Sequence, residues 1–383
     1  MEFLNIGTFG HVDHGKSTLT TALTGKVTDT FSEEIKRGIT IKLGHAQFYI
    51  YEKDGKYYNY PVENGKIVRG VSIIDAPGHE SLLSIAISGL ALLDGAILVI
   101  AANQPCPQPQ TKEHLMILDK LGIKNILIVQ SKVDAVSKQQ AMKNYEEIKQ
   151  FVRATVAENS PIIPVSSTQK LNLEYILEYL ANITGIEKKI KFKNLALIVR
   201  SFDINLPGTK VKDLKGGVLG GAVVSGEFKI GDEIEIKPGI DTENGYKPLK
   251  TKISSLKRED EDLEIAKKGG LVGFGTFLDP TICRRDILAG NFVSTDPLPD
   301  PQNIFKLKVE YIKRDDIPNM EFSQDQILLI NHLTISTQAL VKQVKKDIIT
   351  VQTKKGIIRI DDKVAILRKV DNKWRFAAIG KFV

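Results

Sequence analysis

One stretch constrains the fold more than any other. "GHVDHGKS", residues 10–17, stands between the apolar run "FLNIGTF" and the helix-patterned "STLTTALTG". A Gly-x-x-x-x-Gly-Lys-Ser segment in that setting predicts a strand, a phosphate-cradling loop and a helix, and with them an α/β domain. Gly10 and Gly15 leave room for backbone N–H groups to turn inward on phosphate oxygens, where a side chain would block approach. His11, Val12, Asp13 and His14 complete the loop, and Thr18 opens the helix beside it. Lys16 offers charge to the outer phosphates, Ser17 a hydroxyl to Mg2+, and the helix N-terminus its dipole.

The pattern around this motif extends to about residue 185. "VSIIDAPG", "GAILVIAA", "NILIVQSKVD" and "PIIPVSS" read as buried strands, separated by the amphipathic "ESLLSIAISGLALL", "QTKEHLMILDKLG" and "QQAMKNYEEIKQFVRATVAE". That alternation predicts a mostly parallel sheet with helices on both faces. "LEYILEYLANI" closes the region as a helix and "EKKIKFK" reads as a linker. From Asn194 onward the chain turns to short β-rich runs punctuated by Gly, Asp and Pro, which predicts a β-barrel. "KREDEDLE" fits an exposed hairpin end. Beyond the Pro-rich "DPLPDP", strands resume at "FKLKVEYI", "DIITVQTKKGIIRI", "KVAILRKV" and "WRFAAIGKFV", and a second barrel is expected. The domain boundaries are placed at 1–193, 194–298 and 299–383.

Three further segments complete a nucleotide site. "DAPGHE" puts Asp75 at the C-terminal end of a strand, where a carboxylate holds Mg2+ through water, and Gly78 where its N–H meets a γ-phosphate. "KRGITIKLG" carries Thr40, a second hydroxyl for Mg2+ when the third phosphate is present; by itself Thr40 is an ordinary strand former. "SKVD", 131–134, suits guanine: an ionised Asp134 accepts from N1–H and N2–H, a pair adenine lacks. Lys132 covers the base plane. "SST", Ser166–Thr168, follows a strand, and a backbone N–H there faces the guanine oxygen, with Ser167 between. The expected ligands are therefore GTP or GDP with Mg2+.

Only Cys106 and Cys283 occur, so no disulfide framework is available and a reducing cytoplasm is expected. No apolar run approaches the ~20 residues of a membrane span, and the N-terminal residues lack a signal-peptide pattern. The net charge of +7 is concentrated: residues 302–383 hold 16 Lys and Arg against nine Asp and Glu, and the two kinds balance before them. Two readings of that excess stay open, a solvated surface and contact with an anionic partner such as RNA.

"GHVDHGKST", "RGITI" and "DAPGHE" resemble the translational GTPases, the class of elongation factor Tu. "RGITIKLGHA", "AANQPCPQPQTKEHL", "TVAENSPIIPVSS", "RSFDINLPGT", "GGVLGG", "GGLVGFGTFLDPT" and "VAILRKVDNKWRFAAIG" resemble one family within it, the gamma subunits of archaeal and eukaryotic translation initiation factor 2. The resemblance spans nearly the whole chain and is weakest around residues 313–350. It implies a P-loop GTPase domain and two β-barrels, working with alpha and beta subunits to carry initiator methionyl-tRNA to the small ribosomal subunit. It also implies that His79 orients the attacking water, that Asp13 and the Gly38 carbonyl form a second Mg2+ site, and that Val12 is a hydrophobic gate.

The sequence departs from that pattern at three places. Ser131 stands where the family has Asn, a residue that ties this loop to the phosphate loop and approaches guanine N7; the shorter serine is expected to do so only in part. Ser167 replaces an alanine. Residues 49–69 stand where the family usually has a cysteine-rich zinc knuckle, and this segment contains neither Cys nor His. The turn signals "KDGK" and "ENGK" instead predict a hairpin packed by Tyr49, Tyr51, Tyr57, Tyr58 and Tyr60, without structural zinc. An RNA-stacking surface is the alternative use of these tyrosines. Rival functions are a selenocysteine-type elongation factor and a GTP-binding scaffold without hydrolysis; Lys16, Thr40, Asp75 and His79 speak against the second.

Overall fold

The computed structural model describes residues 3–26, 44–75, 83–185, 190–243, 245–259, 261–314 and 321–383. The chain forms two compact units, residues 1–187 and 188–383.

The first unit runs β1 (Phe3–Gly10), α1 (Lys16–Thr24), β2 (Gly44–Lys53), β3 (Lys56–Tyr58), β4 (Lys66–Asp75), α2 (Leu83–Leu90), β5 (Gly95–Ala101), α3 (Pro109–Leu121), β6 (Ile126–Ser131), α4 (Lys138–Val152), β7 (Ile162–Pro164) and α5 (Leu173–Asn182). Its sheet has the order β3-β2-β4-β1-β5-β6-β7. β1 lies between β4 and β5 and is parallel to both. Parallel central strands are covered on both faces, which is why β1, β5 and β6 are buried at every position and largely apolar rather than alternating. Alternate residues divide between the faces. Leu4, Ile6, Ile97, Val99, Leu127 and Val129 share a core with Leu19 and Leu23 of α1 and Ile176, Leu177 and Leu180 of α5. Phe9 instead meets His114 of α3, ring centroids 5.5 Å apart. Register brings the C-terminal ends of the strands to one edge: Thr8 pairs Asp75, Gly10 pairs Val99, and Ala101 pairs Ser131.

Only β2 and β3 run antiparallel to their neighbours among the described strands of this sheet. They form the expected hairpin, turning at Asp54-Gly55, where both residues have positive φ. Tyr51 stands opposite Tyr58, Tyr58 meets Tyr60 edge-on at 5.6 Å, and Tyr49 meets Phe3 at 5.7 Å. Tyr57 packs on the apolar core, whereas Tyr60 is largely exposed. The Asn59 amide donates to the carbonyls of Ala22 and Leu23 at 3.2 and 2.8 Å, which fastens the hairpin to the end of α1. α4 is shorter than its sequence pattern, ending at Val152; the following residues form turns, with Thr155 bonding back to the Val152 carbonyl.

In the second unit, the strands Leu195–Phe202, Val218–Ser225, Glu233–Thr242, Gly245–Arg258, Val272–Thr276 and Phe292–Ser294 close into a ring. Their inward residues, among them Phe274, Ile236 and Leu256, make one core with Phe228 of the short strand Glu227–Lys229. The charged "KREDEDLE" end is a hairpin in which Arg258 pairs Glu261. A second closed barrel joins Gln302–Tyr311, Ile327–His332, Ile335–Lys345, Ile348–Ile357, Lys363–Val370 and Lys373–Phe382. Two of its strands, Ile327–His332 and Ile335–Lys345, lie within residues 313–350, where the family resemblance is weakest. The barrels touch at Lys355, whose ammonium donates to the Ala289 carbonyl at 3.1 Å.

Candidate nucleotide site

Residues 11–15 form the loop between β1 and α1. Gly10 has φ +139, and a Cβ there would lie 2.2 Å from the Val99 carbonyl oxygen, so only glycine allows β1 to run this close to β5. Asp13 (φ 60) and Gly15 (φ 87) are left-handed, which curls the loop over the start of α1. The first helical bond of α1 is Leu19 N–H to the Gly15 carbonyl at 2.9 Å. The N–H groups of Lys16, Ser17 and Thr18 therefore point out of the helix, where they suit an anion. The Lys16 side chain is buried and donates to the His11 carbonyl at 2.8 Å, inside the loop.

Asp75, at the end of β4, is buried and accepts from Thr8 Oγ1 at 2.5 Å and Ser17 Oγ at 2.7 Å. A carboxylate beside a hydroxyl at the head of a helix is a hard oxygen donor set of the type Mg2+ takes. The residues present fit a Mg2+-bound phosphate chain: Ser17 and Asp75 toward the metal, the loop amides and Lys16 toward the phosphates.

The base loop begins at the last residue of β6. Ser131 is buried, and its hydroxyl donates to the His14 carbonyl at 2.6 Å. The tie to the phosphate loop is thus made by the shorter side chain: a serine suffices for it because the His14 carbonyl comes within direct reach. Lys132 is left-handed (φ 57), and Asp134 lies exposed in the 3-10 turn that follows. Val165 N–H donates to the Gln130 carbonyl at 2.8 Å and Val133 N–H to the Val165 carbonyl at 3.4 Å, so the segment Ser166–Thr168 runs alongside this loop. There Ser166 Oγ and Thr168 Oγ1 are 3.2 Å apart, Gln169 N–H reaches Ser166 Oγ at 3.2 Å, and Ser167 is half-buried. Gly38, Thr40, Gly78 and His79 lie outside the described residues.

Several residues that sequence reasoning did not single out brace the phosphate loop. Gly10 N–H donates to Nδ1 of His114 at 3.0 Å, and Val12 N–H to Oε1 of Gln110 at 3.1 Å. Spaced i and i+4, Gln110 and His114 occupy one face of α3. Burial, reinforced by the Lys16 charge, pushes the His114 pKa down to about 3. The His14 ring lies 3.2 Å from the Val99 carbonyl and 3.1 Å from the Gln104 amide, and burial pushes its pKa down to about 4. The Gln104 carbonyl accepts from Asn144 at 2.8 Å, and Asn144 accepts from Gln130 at 2.9 Å, which carries the brace across to α4 and β6.

The chain matches three family models: "Elongation factor Tu GTP binding domain" over residues 1–185, "Elongation factor Tu domain 2" over 216–291, and "Initiation factor eIF2 gamma, C terminal" over 306–382. It is 44% identical to translation initiation factor 2 subunit gamma of Methanocaldococcus jannaschii over 396 residues, covering 98% of this chain and 96% of that protein. The Pyrococcus horikoshii protein of the same name gives the same identity and coverage. Among solved structures, a bacterial selenocysteine-specific elongation factor superimposes with a TM-score of 0.76 at 26% identity; the match covers 100% of this chain but 58% of that one. The elongation factor SelB from Methanococcus maripaludis, in complex with the GTP analogue GppNHp, shares the fold with a TM-score of 0.73 at 22% identity, over 100% of this chain and 79% of its own.

Proposed function

The chain belongs to the translation initiation factor 2 subunit gamma family, GTPases that use GTP and GDP with Mg2+, and on that premise we propose that it carries initiator methionyl-tRNA under control of the bound nucleotide. The supporting observation is the pairing of an elongation factor Tu-type GTP-binding domain with a C-terminal barrel of the initiation-factor type, in relatives matched end to end. A selenocysteine-type role finds support only in the shared fold.

In this reading Gly10 to Thr18 hold the phosphates, Asp134 accepts from guanine N1–H and N2–H, and Lys132 lies along the base. Each charge-assisted hydrogen bond to Asp134 contributes roughly 1.5–3 kcal/mol. Ser166, Ser167 and Thr168 border the guanine oxygen. Bound Mg2+ supplies positive charge to the phosphate oxygens and holds them in place. Ser17 and Asp75 would hold it, with Thr40 joining in the GTP state and Asp13 and Gly38 at a second position. Thr40 and Gly78 distinguish GTP from GDP through the γ-phosphate, and His79 orients the attacking water.

The proposed organisation is a GTPase domain over 1–193, a first barrel over 194–298 and a second over 299–383. The proposed partners are alpha and beta subunits and the small ribosomal subunit, in the cytoplasm. No described helix is long and apolar enough to cross a membrane. The test is binding of initiator and elongator tRNAs, charged and uncharged, to the chain with its partner subunits. Charged initiator tRNA is expected to bind at least tenfold more tightly with GTP than with GDP, a difference of about 1.4 kcal/mol. Equal affinity in both nucleotide states, or for both tRNAs, overturns the reading.

A further inference from the structure

Ser131 stands beside the loop read here as the guanine site, and the structure shows what its side chain has left to give. A serine hydroxyl has one proton. That proton is committed, because the group facing Ser131 Oγ at 2.6 Å is the His14 carbonyl, which has none to offer. The contact is buried and short, and it joins the base loop to the phosphate loop. The Ser131 carbonyl is also engaged, accepting from Ala102 N–H at 2.8 Å. What remains on the hydroxyl is lone pairs.

A guanine whose N1–H and N2–H face Asp134 still presents two acceptors on its other edge, O6 and N7, to be met by donors. An asparagine amide has two protons, so it can hold the phosphate loop with one and offer the other. Serine cannot do both. Were the hydroxyl to swing to N7, the buried His14 carbonyl would lose its partner, at a cost comparable to the bond gained.

We propose that Ser131 relaxes recognition at one atom of the base by withholding a donor: guanine is bound with no hydrogen bond from position 131 to N7, and guanine nucleotides altered at that atom are accepted as ligands. Ser131 is then a positioning residue, acting on the nucleotide through the phosphate loop. The inference rests on the guanine-site reading of the preceding subsection.

The experiment compares GTP, 7-deaza-GTP (a C–H replaces N7), inosine triphosphate and ATP in equilibrium binding to the full chain. GTP and 7-deaza-GTP are expected to bind within about threefold of each other, a difference below the ~1 kcal/mol of one net hydrogen bond. A tenfold or greater weakening of 7-deaza-GTP, with GTP still preferred over ATP and inosine triphosphate, overturns the inference and leaves the guanine reading standing. No preference for GTP over ATP overturns the guanine reading, and this inference with it. Ser131→Ala removes the tie and is expected to weaken GTP and 7-deaza-GTP by the same factor; unequal weakening would mean that the hydroxyl does reach the base. Ser131→Asn restores a second amide proton and is expected to create a preference for GTP over 7-deaza-GTP. Its failure to do so would show that position 131 does not control N7 recognition.

Discussion

Gly10 donates its backbone N–H to Nδ1 of His114 at 3.0 Å, across 104 residues of sequence. An N–H can donate only to a lone pair, so Nδ1 is unprotonated and the ring is held neutral, consistent with a pKa pushed down to about 3. One turn earlier on the same face of α3, Gln110 accepts from Val12 N–H. The phosphate loop is thus gripped at both ends of its first turn by side chains that touch no phosphate. Such a loop is shaped before the nucleotide arrives, which lowers the ordering cost of binding.

The His114 contact depends on one atom, and that makes it testable. His114→Ala leaves the buried Gly10 N–H without an acceptor, a loss of about 1–3 kcal/mol. Weakening of GDP and GTP by roughly five- to a hundredfold is expected. His114→Asn places Oδ1 near the former Nδ1 position and should recover most of the affinity, whereas His114→Gln, with its acceptor one carbon further out, should not. Nucleotide titrations of the three variants decide it; equal affinities for all three would leave the brace without a role.

Guanine selection is expected to rest on Asp134. Asp134→Asn turns one acceptor into a donor, which clashes with guanine N2–H but suits the carbonyl of xanthine. Loss of GTP binding should therefore be accompanied by gain of xanthosine triphosphate binding. Competition between the two nucleotides measures this directly, and an unchanged preference for GTP would remove Asp134 from the site.

The parts of this site legible in the sequence are those whose partners lie within one motif. Gly10, Gly15, Lys16 and Ser17 follow from spacing, and Asp75 follows from its place at a strand end. Register then sets Asp75 opposite Thr8, and Ser17 at the head of α1 donates to it. The Gln110–His114 brace was not legible, because its partners are backbone amides, which carry no sequence signal. The full reach of Ser131 was hidden for the same reason: it depends on where the His14 carbonyl points. In the second barrel, the even positions Ser336, Gln338 and Leu340 of Ile335–Lys345 are more exposed than their neighbours, but Thr337 and Ala339 stand inward and Leu340 outward, which blurs the strand pattern.

Acid should loosen the second barrel through His332. Its ring is buried; Nδ1 must donate to the Lys363 carbonyl at 3.1 Å, and Nε2 accepts from Ile360 N–H at 3.4 Å, so the ring is neutral. Burial holds its pKa below the ordinary 6.5; the Lys363 carbonyl and Asp361 pull the other way, and Arg359 adds to the lowering. A base with a depressed folded pKa contributes stability that is complete above the unfolded value near 6.5 and is lost as pH falls toward the folded value. The slope reaches at most about 1.4 kcal/mol per pH unit. Trp374, the chain's one tryptophan, sits in the last strand of the same barrel and reports its unfolding by fluorescence. Between pH 7 and 5 the wild type should lose more stability than His332→Asn, which keeps a donor for Lys363 and cannot be protonated; parallel curves would exclude His332 as the titrating group.

The hairpin of residues 44–75 should stand without zinc. It is held by the pairing of β2 with β3 and β4, the Tyr51–Tyr58 and Tyr58–Tyr60 contacts, Tyr57 on the core, and the Asn59 amide across the end of α1. A helix leaves its last carbonyls without intrahelical partners. Asn59 meets two of the final carbonyls of α1 from outside, so the hairpin and the helix that begins at the phosphate loop stabilise each other. Zinc analysis of protein purified without added metal is expected to give far less than one zinc per chain, and a chelator should leave the thermal midpoint unchanged. Asn59→Ala, in contrast, should cost about 1–2 kcal/mol, the scale of two partly exposed hydrogen bonds, and lower the midpoint by a few degrees. Stoichiometric zinc, or a midpoint that falls with chelator and not with Asn59→Ala, would mean that the insert is held by a metal rather than by its tyrosines and its hold on α1.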